Sequence, residues 1–294
     1  MVELDDNTAV CLSLKEYGQV GPKLFQQLLL TFGEPAGLFD RDAEEIASMV
    51  GIDLGRAKKI VEARNSIGAV RDQVDRLAEI DIAVLSYCDR RYPTCLRQIP
   101  DPPLAVYLKG DESLLHAGGV AIVGTTAADQ AGIRSAVDFA GAVSSRGHTV
   151  ISGLAVGIDS AAHLGSLKNG GRTIAVLGSG LLNIYPEENG PLADTIKETG
   201  AIVSEFDIHA EAIPRRLVSR NRIISALADL VIVIQIGEEK RGELYAAGAA
   251  VDQGKPVFVF DPEERYDAET LLDYPVIKVK QLSEIDGILR YIVR

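Results

Sequence analysis

The sequence predicts an α/β protein: a Rossmann-like, doubly wound domain with a mostly parallel sheet, preceded by a small all-helical domain of the helix-hairpin-helix or SAM-like kind. Three observations carry that prediction. From about residue 81, runs rich in Val and Ile alternate with helical patterns, which is how a parallel sheet covered on both faces reads. Strand-like runs at the centre of this region end at glycine, at Gly124, Gly153 and Gly178. Before residue 81, apolar residues recur three or four apart and no convincing strand occurs. The resulting boundaries are 1–80 for the helical domain and 81–294 for the Rossmann-like domain.

In the first domain the helical stretches are "NTAVCLSLKEY", "GPKLFQQLLLTF", "DAEEIASMV" and "LGRAKKIVEARN". Glycine turns punctuate them at 18–23 ("GQVGPK") and 50–59 ("VGIDLGRAKK"). A GxxG turn leading into a helix offers amides to a phosphate backbone. The same glycines serve equally well as helix caps in a small bundle. Both readings stand.

In the second domain strands are expected at 82–87, 105–109, 120–124, 148–152, 173–178, 201–206, 230–236, 256–260 and 276–279. Helices are expected between most of them, around 130–146, 158–169, 191–198, 216–228, 241–253 and 282–291. No stretch of the 294 residues is long and apolar enough to span a membrane. The acidic start "MVELDDNTAV" is unlike a signal peptide. Cys11, Cys88 and Cys95 are scattered, with no CxxC and no histidine at metal-ligand spacing. They read as reduced thiols of a cytoplasmic protein, and no metal site is expected. The net charge of −12 argues against broad, non-specific nucleic-acid binding, which needs clustered cations. A local basic patch remains compatible with it.

In open α/β sheets the ligand lies outside the carboxyl ends of the strands. Those ends carry "GTTAAD" (Gly124, Thr125, Thr126), "SGLAVGID" (Ser152, Gly153, Gly157, Asp159) and "GSGLLN" (Gly178, Gly180). Glycine amides backed by helix N-termini make an anion cradle. "GSGLLN" also begins like a dinucleotide fingerprint, with Glu205 closing the next strand. Asn183 replaces its third glycine, and Tyr185-Pro186 interrupts the helix it needs. His163 follows Asp159 by one helical turn, near Ser152. That geometry suits acid–base chemistry, but it suits a capping carboxylate and a packed imidazole better. No catalytic residue and no cofactor is therefore expected.

Between 214 and 224 the chain reads "PRRLVSRNRII", holding Arg215, Arg216, Arg220, Asn221 and Arg222 and no acid. Guanidinium forks beside a glycine cradle suit phosphate oxygens. For Arg215 and Arg216, pairing with Glu187, Glu188 or the acids of "GEEKRGE" is an equal alternative. Arg220, Asn221 and Arg222 open a helix at the ligand edge and are expected to face the ligand. Arg241 and Gly242 complete the candidate set at the last ligand-edge turn.

The order of motifs is that of a known family. "YPTCLRQIPDPPLAVYLKG", "VAIVGT", "VISGLAVGIDSAAHLGSLKNGGRTIAVLGSGLLNIYPEEN", "IVSEF", "SRNRIISALADLVIVIQ" and "GAAVDQGKPVFVF" follow one another along 92–260. Together they resemble the DNA-processing protein A (DprA/Smf) family across nearly the whole α/β domain, and the helical start resembles that family's N-terminal domain. The resemblance implies a homodimer that binds single-stranded DNA in a basic pocket, protects it and assists its loading onto a RecA-type recombinase in DNA uptake and recombination. It implies no catalysis. The sequence departs from the family at Thr126, where an arginine is common, and at Glu243, where a small neutral residue is common. The alternative is a protein that binds or cleaves nucleoside monophosphates, like the related phosphoribohydrolases. The double glycine of their catalytic turn is missing here.

Overall fold

The computed structural model describes residues 6–237, 242–264 and 276–292, and these divide between two compact units, 1–107 and 108–294.

The first unit is built on helices α1 (Asp6–Glu16), α2 (Pro22–Phe32), α3 (Ala43–Val50), α4 (Leu54–Glu62) and α5 (Ile67–Ala78). Their periodic apolar residues converge on one core, which includes Cys11, Leu14, Phe25, Leu28, Ile46, Ala57 and Ile60. The larger of these, Leu14, Phe25, Leu28, Ile46 and Ile60, contribute about 1.5–3 kcal/mol each on burial, and that, more than helix propensity, holds helices this short. Gly51 ends α3 in the left-handed region at φ 71°, where a side chain would be strained. Asp53 then caps α4, accepting from the Arg56 amide at 2.9 Å. The second glycine turn thus carries its own anion at the helix start, which favours the capping reading there.

The first unit extends past residue 80 because strand β1 (Ala83–Ser86) and the start of β2 (Ala105–Gly110) are tied to its helices. Ser86 Oγ donates to Thr8 Oγ1 at 3.0 Å, and Tyr107 Oη donates to Glu16 at 2.7 Å. Between these strands lies the short helix α6 (Thr94–Arg97).

The second unit carries strands β3 (Val120–Val123), β4 (Val150–Ser152), β5 (Thr173–Val176), β6 (Ala201–Ser204), β7 (Leu230–Val233), β8 (Val257–Phe260) and β9 (Ile277–Val279). They lie in the order β6-β5-β4-β3-β7-β8-β9, and every neighbouring pair is parallel. All the residues of β3 to β7 are buried, as expected of strands covered on both faces. Helices α7 (Gln130–Ser144), α8 (Ile158–Lys168), α9 (Gly190–Thr199), α10 (Pro214–Ser219), α11 (Asn221–Leu227), α12 (Gly242–Asp252) and α13 (Ile285–Leu289) connect or cover the strands. Phe139, Ala140 and Val143 of α7 meet Ile158, Ala161 and Ala162 of α8 over Val120, Ile122 and Ile232.

The helix expected over 216–228 is two helices that meet at Arg220. The ladder tightens there: the Ile223 amide bonds the Arg220 carbonyl at 2.9 Å, three residues back. From β3 the chain lays β4, β5 and β6 to one side and then returns to place β7, β8 and β9 on the other. The switch point is therefore the crevice beyond Val123 and Val233, which are paired in register.

Candidate nucleic-acid interface

A cavity of about 350 Å³ opens at that switch point. Val123 at the end of β3 and Gly124 beyond it, Gly153, Ala155 and Val156 after β4, and Asp159 of α8 line it. Leu217, Val218, Arg220 and Asn221 come from the α10–α11 junction, and Gly242, Glu243 and Ala246 from α12. Tyr185 and Pro186 close one side, and Thr126 sits exposed at the rim.

Arg220 dominates the interior. It is 5% exposed, and its Nη1 donates to the carbonyl of Gly153 at 2.5 Å and to that of Val176. Its Nε donates to Asn221 Oδ1 at 3.1 Å, while Asn221 Nδ2 donates to the Gly242 carbonyl at 3.0 Å. One guanidinium thus joins the carboxyl ends of β4 and β5 to the α10–α11 junction. Burial pushes its pKa down, and the field of Asp159 opposes that shift.

Asp159 is also buried and accepts from the Gly153 amide at 3.1 Å. Desolvation raises its pKa to about 6, against the opposing field of Arg220. His163, one turn along α8, is fully buried, and Thr173 Oγ1 lies 2.7 Å from its Nδ1. Burial, and secondly Arg220, hold its pKa down to about 3, so the ring is neutral. Thr173 Oγ1 donates onward to the Val150 carbonyl at 2.8 Å, so Nδ1 carries the proton. Asp159 and His163 are a buried carboxylate and a packed imidazole.

Most of the expected glycine cradle is occupied by the protein itself. A Cβ on Gly153 would lie 2.5 Å from the Arg220 guanidinium carbon, and one on Gly157 2.5 Å from the Thr125 carbonyl. A Cβ on Gly124 would strike Ile158, one on Gly178 Leu217, and one on Gly180 the backbone of Asp207 and Ile208. Amides are committed as well. Thr125 donates to the Gln235 carbonyl at 2.9 Å, Gly180 to that of Ala210 at 2.8 Å, and Gly153 to Asp159. Ser152 Oγ is fully buried and donates to the Ile122 carbonyl at 2.6 Å. These residues let the chain approach itself closely. Leu154, next to Gly153, has φ 59°, a strained left-handed conformation in a buried leucine.

The remaining arginines separate. Arg222 forms a two-pronged pair with Glu205 at 2.6 and 2.7 Å, each side chain 12% exposed. Its expected orientation toward a ligand is thus met by an internal acid at the end of β6. Arg216 donates to the Glu211 carbonyl at 2.6 Å and lies over the Phe206 ring at 5.4 Å. Arg215 is exposed and has no ion pair among the described residues. Arg241 lies outside the described residues, and Gly242 is exposed at the start of α12. Glu243 is buried beside the cavity and accepts from the Gly237 amide at 2.6 Å.

Gln235, which the motifs do not single out, takes the Thr125 amide on its carbonyl and the Asp129 amide on its Oε1 at 3.2 Å. The signal was present: Gln235 is the polar residue in the run "LVIVIQI". Leu217 and Val218 gave no signal, being ordinary apolar residues on a helix. Among the described residues no helix is long and apolar enough to cross a membrane, and no cluster of potential metal ligands occurs.

Comparison with known proteins gives one consistent result. The family model for DNA recombination-mediator protein A matches residues 83–270. The chain is 32% identical to the DNA processing protein DprA of Bacillus subtilis over 267 residues, covering 87% of each. It is 36% identical to DprA of Streptococcus pneumoniae over 59% of this chain and 61% of that one. The X-ray structure of DprA from Streptococcus pneumoniae superposes with a TM-score of 0.78 at 26% identity, covering 95% of this chain and 97% of that one. DprA from Helicobacter pylori, a structure concerned with its single-stranded DNA binding mode, superposes with a TM-score of 0.63 at 27% identity. That match covers 71% of this chain and 96% of the other.

Proposed function

The chain belongs to the DNA recombination-mediator protein A (DprA/Smf) family, and from that premise we propose that it binds single-stranded DNA across the mouth of the switch-point cavity. The observation that carries the proposal is the cavity's composition at its rim. Tyr185 presents a ring that is 52% exposed, and Arg215 projects from the same short helix whose Leu217 and Val218 line the wall. An exposed ring and an exposed cation are what a sequence-tolerant single-strand site needs. A volume of about 350 Å³ suits one nucleotide unit. Asp159 and Glu243 line the interior, so the phosphates run outside over Arg215 and Arg216 while a base turns inward.

Binding, not catalysis, is the proposed activity. The buried His163 is neutral and turned to Thr173, and Glu243 is engaged with the Gly237 amide. The family reading extends to a cytoplasmic homodimer that passes the strand to a RecA-type recombinase. Sedimentation and a strand-loading assay test those two steps separately. The same cavity gives the competing reading, a free nucleoside monophosphate as ligand.

The deciding experiment titrates a fluorescent single-stranded oligonucleotide at several salt concentrations, beside duplex DNA and a nucleoside monophosphate. Tight single-strand binding that weakens with salt is expected. Saturable mononucleotide binding with no oligonucleotide binding overturns the proposal in favour of the small ligand.

A further inference from the structure

Cys11 and Cys88 are 77 positions apart, and their sulfurs lie 3.0 Å from one another, the Cys11 thiol donating to Cys88. Cys11 is fully buried on α1, and Cys88 is half-buried in the turn after β1. Both backbones are pinned. Ser86 is bonded to Thr8 on α1, and the Tyr87 amide donates to the Leu104 carbonyl at 2.8 Å. The Tyr87 ring packs edge-on against Phe25 at 5.4 Å. Arg97 Nη2 then donates to the carbonyls on either side of Cys88, those of Tyr87 at 2.9 Å and Asp89 at 3.0 Å. A disulfide needs an S–S distance of about 2.05 Å, so closing this pair takes about 1 Å of side-chain movement.

We propose that Cys11 and Cys88 are an oxidative modification site, at which a hydroperoxide converts the two thiols into an intrachain disulfide. The pair is asymmetric in a way that orders the steps. Hydrogen bonding to Cys88 and burial both hold the proton on Cys11. Cys88 is the more exposed residue and accepts that hydrogen bond. Its greater exposure makes Cys88 the sulfur that a peroxide meets first.

Cys88 therefore attacks the outer peroxide oxygen. The O–O bond breaks, the sulfur becomes a sulfenic acid, and water (or an alcohol, from an organic hydroperoxide) departs. The Cys11 sulfur then attacks Cys88. The S–S bond forms, the S–O bond breaks, and the hydroxyl leaves as water with the Cys11 proton. Two thiols lose two electrons and one peroxide gains them. The product ties α1 to the turn after β1 inside the first unit, independently of any DNA reading.

The test treats the full chain, folded, with hydrogen peroxide, and follows free thiols, intact mass and tryptic peptides. Free thiols are expected to fall from the three of the untreated chain to one, Cys95. The mass should drop by about 2 Da, and the Cys11 and Cys88 peptides should be joined until dithiothreitol separates them. Cys95→Ser should cross-link as the wild type does, and Cys88→Ser should not. The proposal is overturned if all thiols survive. It is equally overturned if Cys88 proceeds to sulfinic acid with Cys11 still free, or if the bridge involves Cys95 or a second chain.

Discussion

The guanidinium of Arg220 occupies the space that a side chain on residue 153 would need, and it bonds that residue's carbonyl at 2.5 Å. The glycine and the arginine are one device, which fixes the ends of β4 and β5 against the α10–α11 junction. Arg220→Ala leaves two strand-end carbonyls and the Asp159 carboxylate without their cation. Loss of one member of a buried charge network costs about 3–5 kcal/mol. Urea unfolding should show that loss, and Arg220→Lys should recover little of it, because an ammonium cannot reproduce the fork. Gly153→Ala should destabilise by about 1–3 kcal/mol through overpacking alone. An Arg220→Ala protein of wild-type stability would mean that the guanidinium is free for ligand.

Arg215 and Arg222 should respond oppositely to truncation. Arg215→Ala should weaken single-strand binding and reduce the slope of log K against log salt by about 0.7, one phosphate's worth. Arg222→Ala should leave that slope unchanged and lower stability instead. A double-mutant cycle with Glu205→Gln should return a coupling of about 1–2 kcal/mol, since the pair is two-pronged and largely buried.

Asp159 and His163 act on stability in opposite senses as pH changes. Burial raises the Asp159 pKa from 3.8 to about 6, so its stabilising effect is complete below 3.8 and is lost as pH rises through 6. Burial lowers the His163 pKa from 6.5 to about 3, so its effect is complete above 6.5 and is lost as pH falls through 3. Between pH 4 and 6, roughly, the two proton balances offset one another. Urea midpoints of the wild type should be nearly flat there. With His163→Gln stability should fall as pH rises through this window, and with Asp159→Asn it should rise.

Much of this fold is legible from residue order, because strands buried on both faces read as unbroken apolar runs. The run "LVIV" and its neighbours placed the strands of the second unit, and the glycines at their ends placed the ligand edge. What those glycines are for was not legible. A glycine that admits a phosphate and one that admits Arg220 look the same in sequence, since both only report that a Cβ is excluded. Charge pairing was hidden for a similar reason. Arg222 and Glu205 lie 17 positions apart and meet because β6 ends where the α10–α11 junction begins. The acid-free stretch at 214–224 therefore looked more basic than its surface is. The Cys11–Cys88 contact bridges 77 positions and has no local signature at all.

Thr126 and Glu243 both line the same cavity, so their effects on an anionic ligand should combine. Thr126 is exposed at the rim, where an arginine can be added without desolvation. Thr126→Arg should tighten single-strand binding and steepen the salt dependence by about 0.7. Glu243 differs because it is buried and its carboxylate holds the Gly237 amide at 2.6 Å. Glu243→Gln keeps an acceptor for that amide while removing the charge, so it should strengthen binding with little change in salt slope. Glu243→Ala removes the acceptor too, and should cost about 1 kcal/mol of stability by stranding the half-buried Gly237 amide. Fluorescence anisotropy at two salt concentrations, read beside urea unfolding, separates these effects. Tighter binding by Thr126→Arg with none by Glu243→Gln would place the strand along the rim alone, with no base entering the cavity.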